Sequence, residues 1–276
     1  MELAVRQVAA LCPAGDLKTL RDRLQSPEKL SARDFQGQCD PGRLKELGEL
    51  LPEANLRRVP RLARLALRAA LEIKTAVPQE ALIIISAYGS AAATFDFLDS
   101  ILSDGAALAS PTAFSHSVTN MSAAYLSRHL GLTGPCLSLS QNSFLPALEA
   151  AELLLSSGRA ESVLVGAISE YSEIMDVIDK AAGREPPVLS DGAVFFELAR
   201  PAQKRDEVLL RTGEPRIRDN RDERLAGLIG RSYLAEALRL ALARLSAGDG
   251  GGPNAAGLCG KSGTELIRLQ AQGSPL

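Results

Sequence analysis

Between residues 81 and 200 the chain alternates continuous apolar runs with segments of helical spacing, and this alternation narrows the possible folds most. "ALIIISAYG" (81–89) is unbroken and β-branched, the pattern of a strand covered on both faces, and Gly89 ends it. "AATFDFLDSIL" and "NMSAAYLSRHLG" follow as helices, the second stopped by Gly131 in the manner of a C-terminal glycine. "CLSLS" reads as a strand, "FLPALEAAELLL" as a helix, and "SVLVGAISE" and "GAVFFELAR" as two more strands. Upstream, "ELAVRQVAAL" reads as a first strand. "RRVPRLARLALRAALEI" carries Val59, Leu62, Leu65 and Ala69 on one helical face. Strands alternating with helices imply a layered α/β fold. After Arg200, "QKRDEVLLRTGEPRIRDNRDER" is dense in charge and reads as an exposed connection. A helix "LAEALRLALARL", a "GDGGGPN" loop and a closing strand "AAGLCGKSGTELIRLQ" complete the chain.

With 276 residues, 46% of them hydrophobic, the chain has material for one large domain or two halves. A net charge of -2 argues against a nucleic-acid binder, which needs a basic surface. No run approaches the length of a membrane span. The opening apolar run holds Glu2 and Arg6 and lacks a basic n-region, unlike a signal peptide. Cys12, Cys39, Cys136 and Cys259 lie far apart, and with two histidines they offer no metal-ligand spacing. The expectation is a cytoplasmic protein with no metal and no cofactor.

The chemistry-bearing stretch is "SLSQNSF", where a strand turns into a helix at Gln141, Asn142 and Ser143. Such an elbow suits a nucleophile, because the helix N-terminus offers free N–H groups and partial positive charge. Ser143 needs a base to serve as one, and neither His116 nor His129 is placed by sequence to act. Cys136, early in the strand, reads as a small buried residue. Gln141 or Asn142 also reads as the cap of the following helix. Asp191-Gly192 marks a turn before a strand. "GLCGKSGT" evokes a phosphate-binding loop, but Ala255 stands where that motif needs glycine, and no long helix follows. Arg57, Arg58, Arg61, Arg64 and Arg68 form a basic stripe, either a solvated helix face or a dock for an acidic protein.

Several segments in order resemble the β-ketoacyl synthase family, which has the thiolase-like fold. "SPTAFSHSVTNMSAAYLSRHLGLTGPCLSLS" is similar to the stretch in which an Asn-Met pair opens a helix before the nucleophile strand. "GRAESVLVGAISE", "PPVLSDGAVFFELARP" and "AAGLCGKSGTELIRLQ" are similar to three later strand segments, the last being the family's glycine-rich final strand. The resemblance implies a layered αβαβα fold, with residues 1–205 as a ketosynthase-like N-terminal half and 206–276 as a shortened C-terminal half. It is closest to the divergent synthase-like proteins found beside aryl-polyene and type II polyketide synthases.

The departures from the family bear on function. Its nucleophilic cysteine falls on Ser143 counting forward from Gly134-Pro135, and on Gln141 counting back from Gly158. Its first catalytic histidine has no counterpart. Its second falls on Arg231, which cannot act as a general base. A glutamine at the cysteine position characterises polyketide chain-length factors, which pair with an active ketosynthase. The resemblance therefore implies a catalytically inactive subunit that forms a heterodimer with a full-length ketosynthase in type II fatty-acid, polyketide or aryl-polyene biosynthesis. An acyl carrier protein is a further implied partner, docking on the arginine stripe. Phe114, Val118, Asn120, Met121 and Tyr125 fall near the family's subunit interface. The alternative is a divergent acyltransferase or condensing enzyme using Ser143 or Cys136.

Overall fold

Two-sided burial is the rule in the central strands, and it follows from their uninterrupted apolar sequence. In the computed structural model, which describes residues 2–24, 30–73, 81–183, 188–189, 191–202, 208–213, 220–230, 232–248, 254–260 and 263–271, nine strands form one mixed sheet. They are β1 (Glu2–Cys12), β2 (Gly15–Asp16), β3 (Ala81–Ile85), β4 (Cys136–Leu139), β5 (Ser162–Ser169), β6 (Gly192–Ala199), β7 (Val208–Gly213), β8 (Asn254–Gly260) and β9 (Gly263–Ala271). The order across the sheet is β4-β3-β5-β6-β1-β7-β9-β8, with β2 folded back on β1. β3 runs parallel to β4 and β5; the other pairings are antiparallel.

The helices are α1 (Leu17–Leu24), α2 (Pro41–Lys45), α3 (Leu47–Leu50), α4 (Arg61–Ala70), α5 (Ala91–Asp104), α6 (Pro111–Ser117), α7 (Met121–Leu130), α8 (Leu145–Ser156), α9 (Glu173–Ala181), α10 (Asn220–Ile229) and α11 (Tyr233–Gly248). Alternate residues of β3 face opposite cores. Ala81, Ile83 and Ile85 join α1, α8, α10 and α11, while Leu82 and Ile84 join α2, α3, α4 and α7. In β1 the parity changes midway. Leu3 and Val5 face the first core, and after a bulge between Val5 and Gln7 it is Ala10 and Cys12 that do so. One extra residue reverses every later side chain.

α11 packs against β1, β5 and β6 and also against β7, β8 and β9, so the sheet curls around it. α8 likewise touches β3, β5 and β8. The layers therefore run helix, sheet, helix, sheet. The described helices packed on β7, β8 and β9 all contribute to the one core that holds α11.

Two small residues fix close approaches. The Phe195 ring lies over Gly166 of β5, and a Cβ there would come within 2.2 Å of it. Gly131 ends α7 in the left-handed conformation at φ 67°, as its position in the sequence implies.

The charged segment after Arg200 is not merely an exposed connection, because it contains β7, whose Val208, Leu209 and Leu210 are at most 2% exposed. The closing segment is a hairpin, β8 and β9, rather than one strand. A strand after residue 262, not a helix, disposes of the phosphate-loop resemblance. The half-boundary at 205 falls outside the described residues. No helix among the described residues is long and apolar enough to cross a membrane.

Candidate functional site

The elbow lies where β4 gives way to α8. Ser140 donates to the Ala87 carbonyl across the strand ends at 3.2 Å, and Gln141 and Asn142 follow with both side chains exposed. The chain then turns inward at Ser143, and Phe144 is fully buried with its ring 5.4 Å from that of Phe196. Helix α8 begins at Leu145 with Pro146 in its first turn, which removes one N–H that would otherwise need a partner.

The remaining donors are occupied. A carboxylate from α11, Glu236, is 1% exposed and reaches the elbow from the core side. Its Oε2 accepts the Phe144 N–H at 2.8 Å and the Ser143 hydroxyl at 3.1 Å. Ser143 Oγ in turn accepts the Leu145 N–H at 3.3 Å. An anion at a helix N-terminus is stabilised by the free N–H groups and the dipole together. Here the protein supplies the acceptor for those groups from its own interior.

This arrangement corrects two readings of the sequence. Neither Gln141 nor Asn142 caps the helix; Ser143 and Glu236 do. Gln141 does not place its amide at the buried helix end, because its side chain is exposed, and the half-buried position belongs to Ser143. Glu236 was invisible in sequence, since nothing in "YLAEALRL" distinguishes a buried acid from one turn of a solvated face. Its only signal is the lone acid in an otherwise apolar helix turn. Arg231, at the second histidine position, lies outside the described residues.

Beside the elbow a cavity of about 30 Å³ is lined by Ser86, Ser138, Ser140, Thr119 and Ile168 among others. That is space for roughly two waters, far below the several hundred Å³ of a typical ligand pocket. Beneath it, the buried Tyr233 hydroxyl donates to the Ile168 carbonyl at 2.7 Å and sits 3.4 Å from Ser86 Oγ. Burial raises the tyrosine above its ordinary range, so it stays a neutral donor.

Cys136 is exposed, not a packed core residue, because β4 is the end strand of the sheet and, among the described residues, pairs only with β3. Partial burial still raises its thiol above the ordinary value, which disfavours the thiolate a nucleophile requires.

The arginine stripe is not a single surface. Arg61 donates to both oxygens of Asp191, at 2.6 and 2.7 Å, and Asp191 is wholly buried. Asp191 also accepts the backbone N–H groups of Cys39 and Tyr171, at 2.6 and 2.8 Å. It is a structural hub tying three segments, more than a turn former. Arg68 is 7% exposed and held by Glu46 and Glu72. Arg64 is half-buried, and Arg57 and Arg58 are exposed in a 3-10 turn ahead of α4. Ion pairs to acids of this chain thus engage two of the five arginines, Arg61 and Arg68.

The expected interface residues also divide. Phe114 is 56% exposed and tilted against Phe97, and Asn120 is exposed at the start of α7. Val118 and Tyr125 are half-buried; the Tyr125 hydroxyl donates to the Arg58 carbonyl at 3.0 Å. Met121 is 3% exposed and belongs to the α4–α7 core, so its side chain faces no partner.

Residues 38–173 match the family described as beta-ketoacyl synthase, N-terminal domain. Over that stretch, just under half of its length, the chain is similar to the β-ketoacyl synthase family. Among solved structures, a chain of the ishigamide ketosynthase/chain length factor is 16% identical with a TM-score of 0.73, and the match covers 99% of this chain and 100% of that one. A chain of the ketosynthase ApeO in complex with its chain length factor ApeC, from Xenorhabdus doucetiae, is 17% identical with a TM-score of 0.67, covering 98% and 99%. The ketosynthase from module 6 of the bacillaene synthase of Bacillus subtilis 168 is 12% identical with a TM-score of 0.62, and the match covers 98% of this chain and 71% of that one. No curated protein sequence matches the chain. The fold is thiolase-like, and the chain is short beside that full ketosynthase.

Proposed function

We infer that this β-ketoacyl-synthase-like chain is a non-catalytic, chain-length-factor-like subunit that pairs with an active ketosynthase in cytoplasmic type II polyketide, fatty-acid or aryl-polyene assembly. Residues 206–276 serve as a shortened second half. The observation that carries this is the state of β4 and the elbow it leads into. β4 is an end strand whose outer edge has no partner strand among the described residues and whose Cys136 and Leu137 are exposed, beside an elbow whose N–H donors are already taken. An open strand edge is a template for pairing with another chain, and an occupied helix N-terminus has nothing left for a developing oxyanion.

The test is co-expression with a co-encoded ketosynthase, read by thiol labelling. A 1:1 complex is expected, with Cys136 reacting in the isolated chain and protected in the pair. A chain that stays monomeric at micromolar concentration and binds no such ketosynthase overturns the reading.

One contact favours a second reading, a divergent acyltransferase: the Ser143 hydroxyl donates to a buried carboxylate. Acyl transfer from a carrier protein by the purified chain, abolished by Ser143→Ala, would establish it.

A further inference from the structure

Charge is segregated along this chain. Its 31 lysines and arginines nearly balance 33 acids, yet residues 81–127 hold no lysine or arginine. The acids of that stretch, Asp96, Asp99 and Asp104, all lie on α5 and are all exposed. No ion pair found among the described residues involves them. They do not serve the helix either. Acids favour the first turn, where α5 has none, whereas Asp104 sits in the last, against the dipole.

The same helix has no buried residue in 14. Leu102 is 83% exposed and Leu98 47%, and beyond the helix Leu108 is 75% and Phe114 56% exposed. α5 packs on α6 and on α9, whose Val177 is 65% exposed beside the acids Glu173 and Asp176. α5 starts shortly after Ala87, whose carbonyl accepts the Ser140 hydroxyl at the end of β4, so this surface adjoins the open strand edge. Exposed apolar residues set among mainly acidic side chains, with the base Lys180 in the last turn of α9, describe an interface, with hydrophobic contact for affinity and charge for selection.

We propose that the α5 face selects its partner by charge: it accepts a protein surface carrying lysine and arginine around an apolar centre, and it rejects a second copy of this chain. This rests on the heterodimer reading and adds the chemistry of the partner's facing surface. In a two-fold homodimer the same patch meets itself, so the α5 acids of one copy would be brought up to those of the other. Like charges across an interface suppress the wrong partner, and opposite charges speed and strengthen the right one. An acidic carrier protein is turned away from this face by the same field.

The experiment uses the complex with the co-encoded ketosynthase. Raising salt from about 50 to about 300 mM is expected to weaken it roughly fivefold or more, because rim charges are screened within about a Debye length. The triple variant D96N/D99N/D104N is expected to bind roughly tenfold more weakly at the lower salt and to lose most of the salt dependence. Its circular dichroism should match the wild type, since all three side chains are exposed. A complex indifferent to salt and to the triple variant overturns this inference alone. So does a wild-type homodimer that is stable at low salt. Failure to form any complex overturns the heterodimer reading and this inference with it.

Discussion

Glu236 is the residue whose loss should be felt most at the elbow. Truncation to alanine leaves the Phe144 N–H and the Ser143 hydroxyl without their acceptor inside the core. An unsatisfied buried donor that had been bonded to a charge costs about 2–3 kcal/mol. Glu236→Gln keeps an acceptor oxygen and should cost about 1 kcal/mol, so urea unfolding of the two variants separates the charge from the hydrogen bond. Equal losses would show that the charge carries the whole effect and the retained acceptor nothing; a glutamine variant as stable as wild type would show the reverse. Asp191→Ala should cost more, about 3–5 kcal/mol, because it strands Arg61 and frees two backbone donors at once. The buried thiols give a pH signature. Burial pushes Cys12 up from 9.0 to about 12 and also raises Cys39, with the nearby Asp191 adding to the second shift. A raised folded-state value means stabilisation that is complete below the ordinary thiol value and lost as pH climbs from about 9 toward 12. Cys12→Ala should therefore flatten the alkaline limb of a stability-against-pH curve relative to wild type; an unchanged limb would contradict the assignment.

Among the elements, β4 and α5 carry the surface and α4 and α7 carry the core, so the same kind of substitution has opposite consequences in the two places. Leu102→Asp and Phe114→Asp should leave the monomer folded and weaken the pair, because both side chains are more than half exposed. Met121→Asp should instead unfold the chain, since it places a charge among Leu62, Leu126 and Ile84. Circular dichroism beside a pull-down tells loss of fold from loss of binding. β3, β5 and β6 were legible from apolar runs that need no context, and the segments of β1 and β4 were read as strands as well. α7 was legible from its spacing and from Gly131. β7 was hidden, because "VLL" is short and its neighbours "QKRDE" and "EPRIRDNRDER" dominate the composition around it. α4 was found, but the arginine stripe was misjudged. A helical period tells which residues share a face, not which acids on other segments reach them, and Glu46 and Asp191 lie 22 and 130 positions from their arginines. The elbow was located correctly for the same reason that its occupant was missed: strand-then-helix is local, and Glu236 arrives from 93 residues away.

At the scale of the whole molecule, the thiolase-like layering and the exposed α5–β4 region point to a chain whose stability depends on company. Among the described residues one edge of β4 has no partner strand, and α5 displays leucines to solvent, so the isolated chain bears a hydration cost that the proposed partner would remove. An interface large enough to be obligate buries about 2,000 Å² or more in total. A ligand present at about a hundredfold its dissociation constant stabilises the form that binds it by about 2.7 kcal/mol. For a chain of this size, each kcal/mol corresponds to roughly 2–4 °C in Tm. Under the proposed pairing, the melting transition of this chain should accordingly rise by about 5–10 °C as an excess of the co-encoded ketosynthase is titrated in. The isolated chain should bind a hydrophobic dye that the complex excludes. Leu102→Asp is predicted to reduce dye binding by the free subunit while abolishing most of the partner-induced shift, since it removes apolar surface and contact together. A Tm unmoved by the partner, or a shift that survives Leu102→Asp intact, would place the interface elsewhere than on α5.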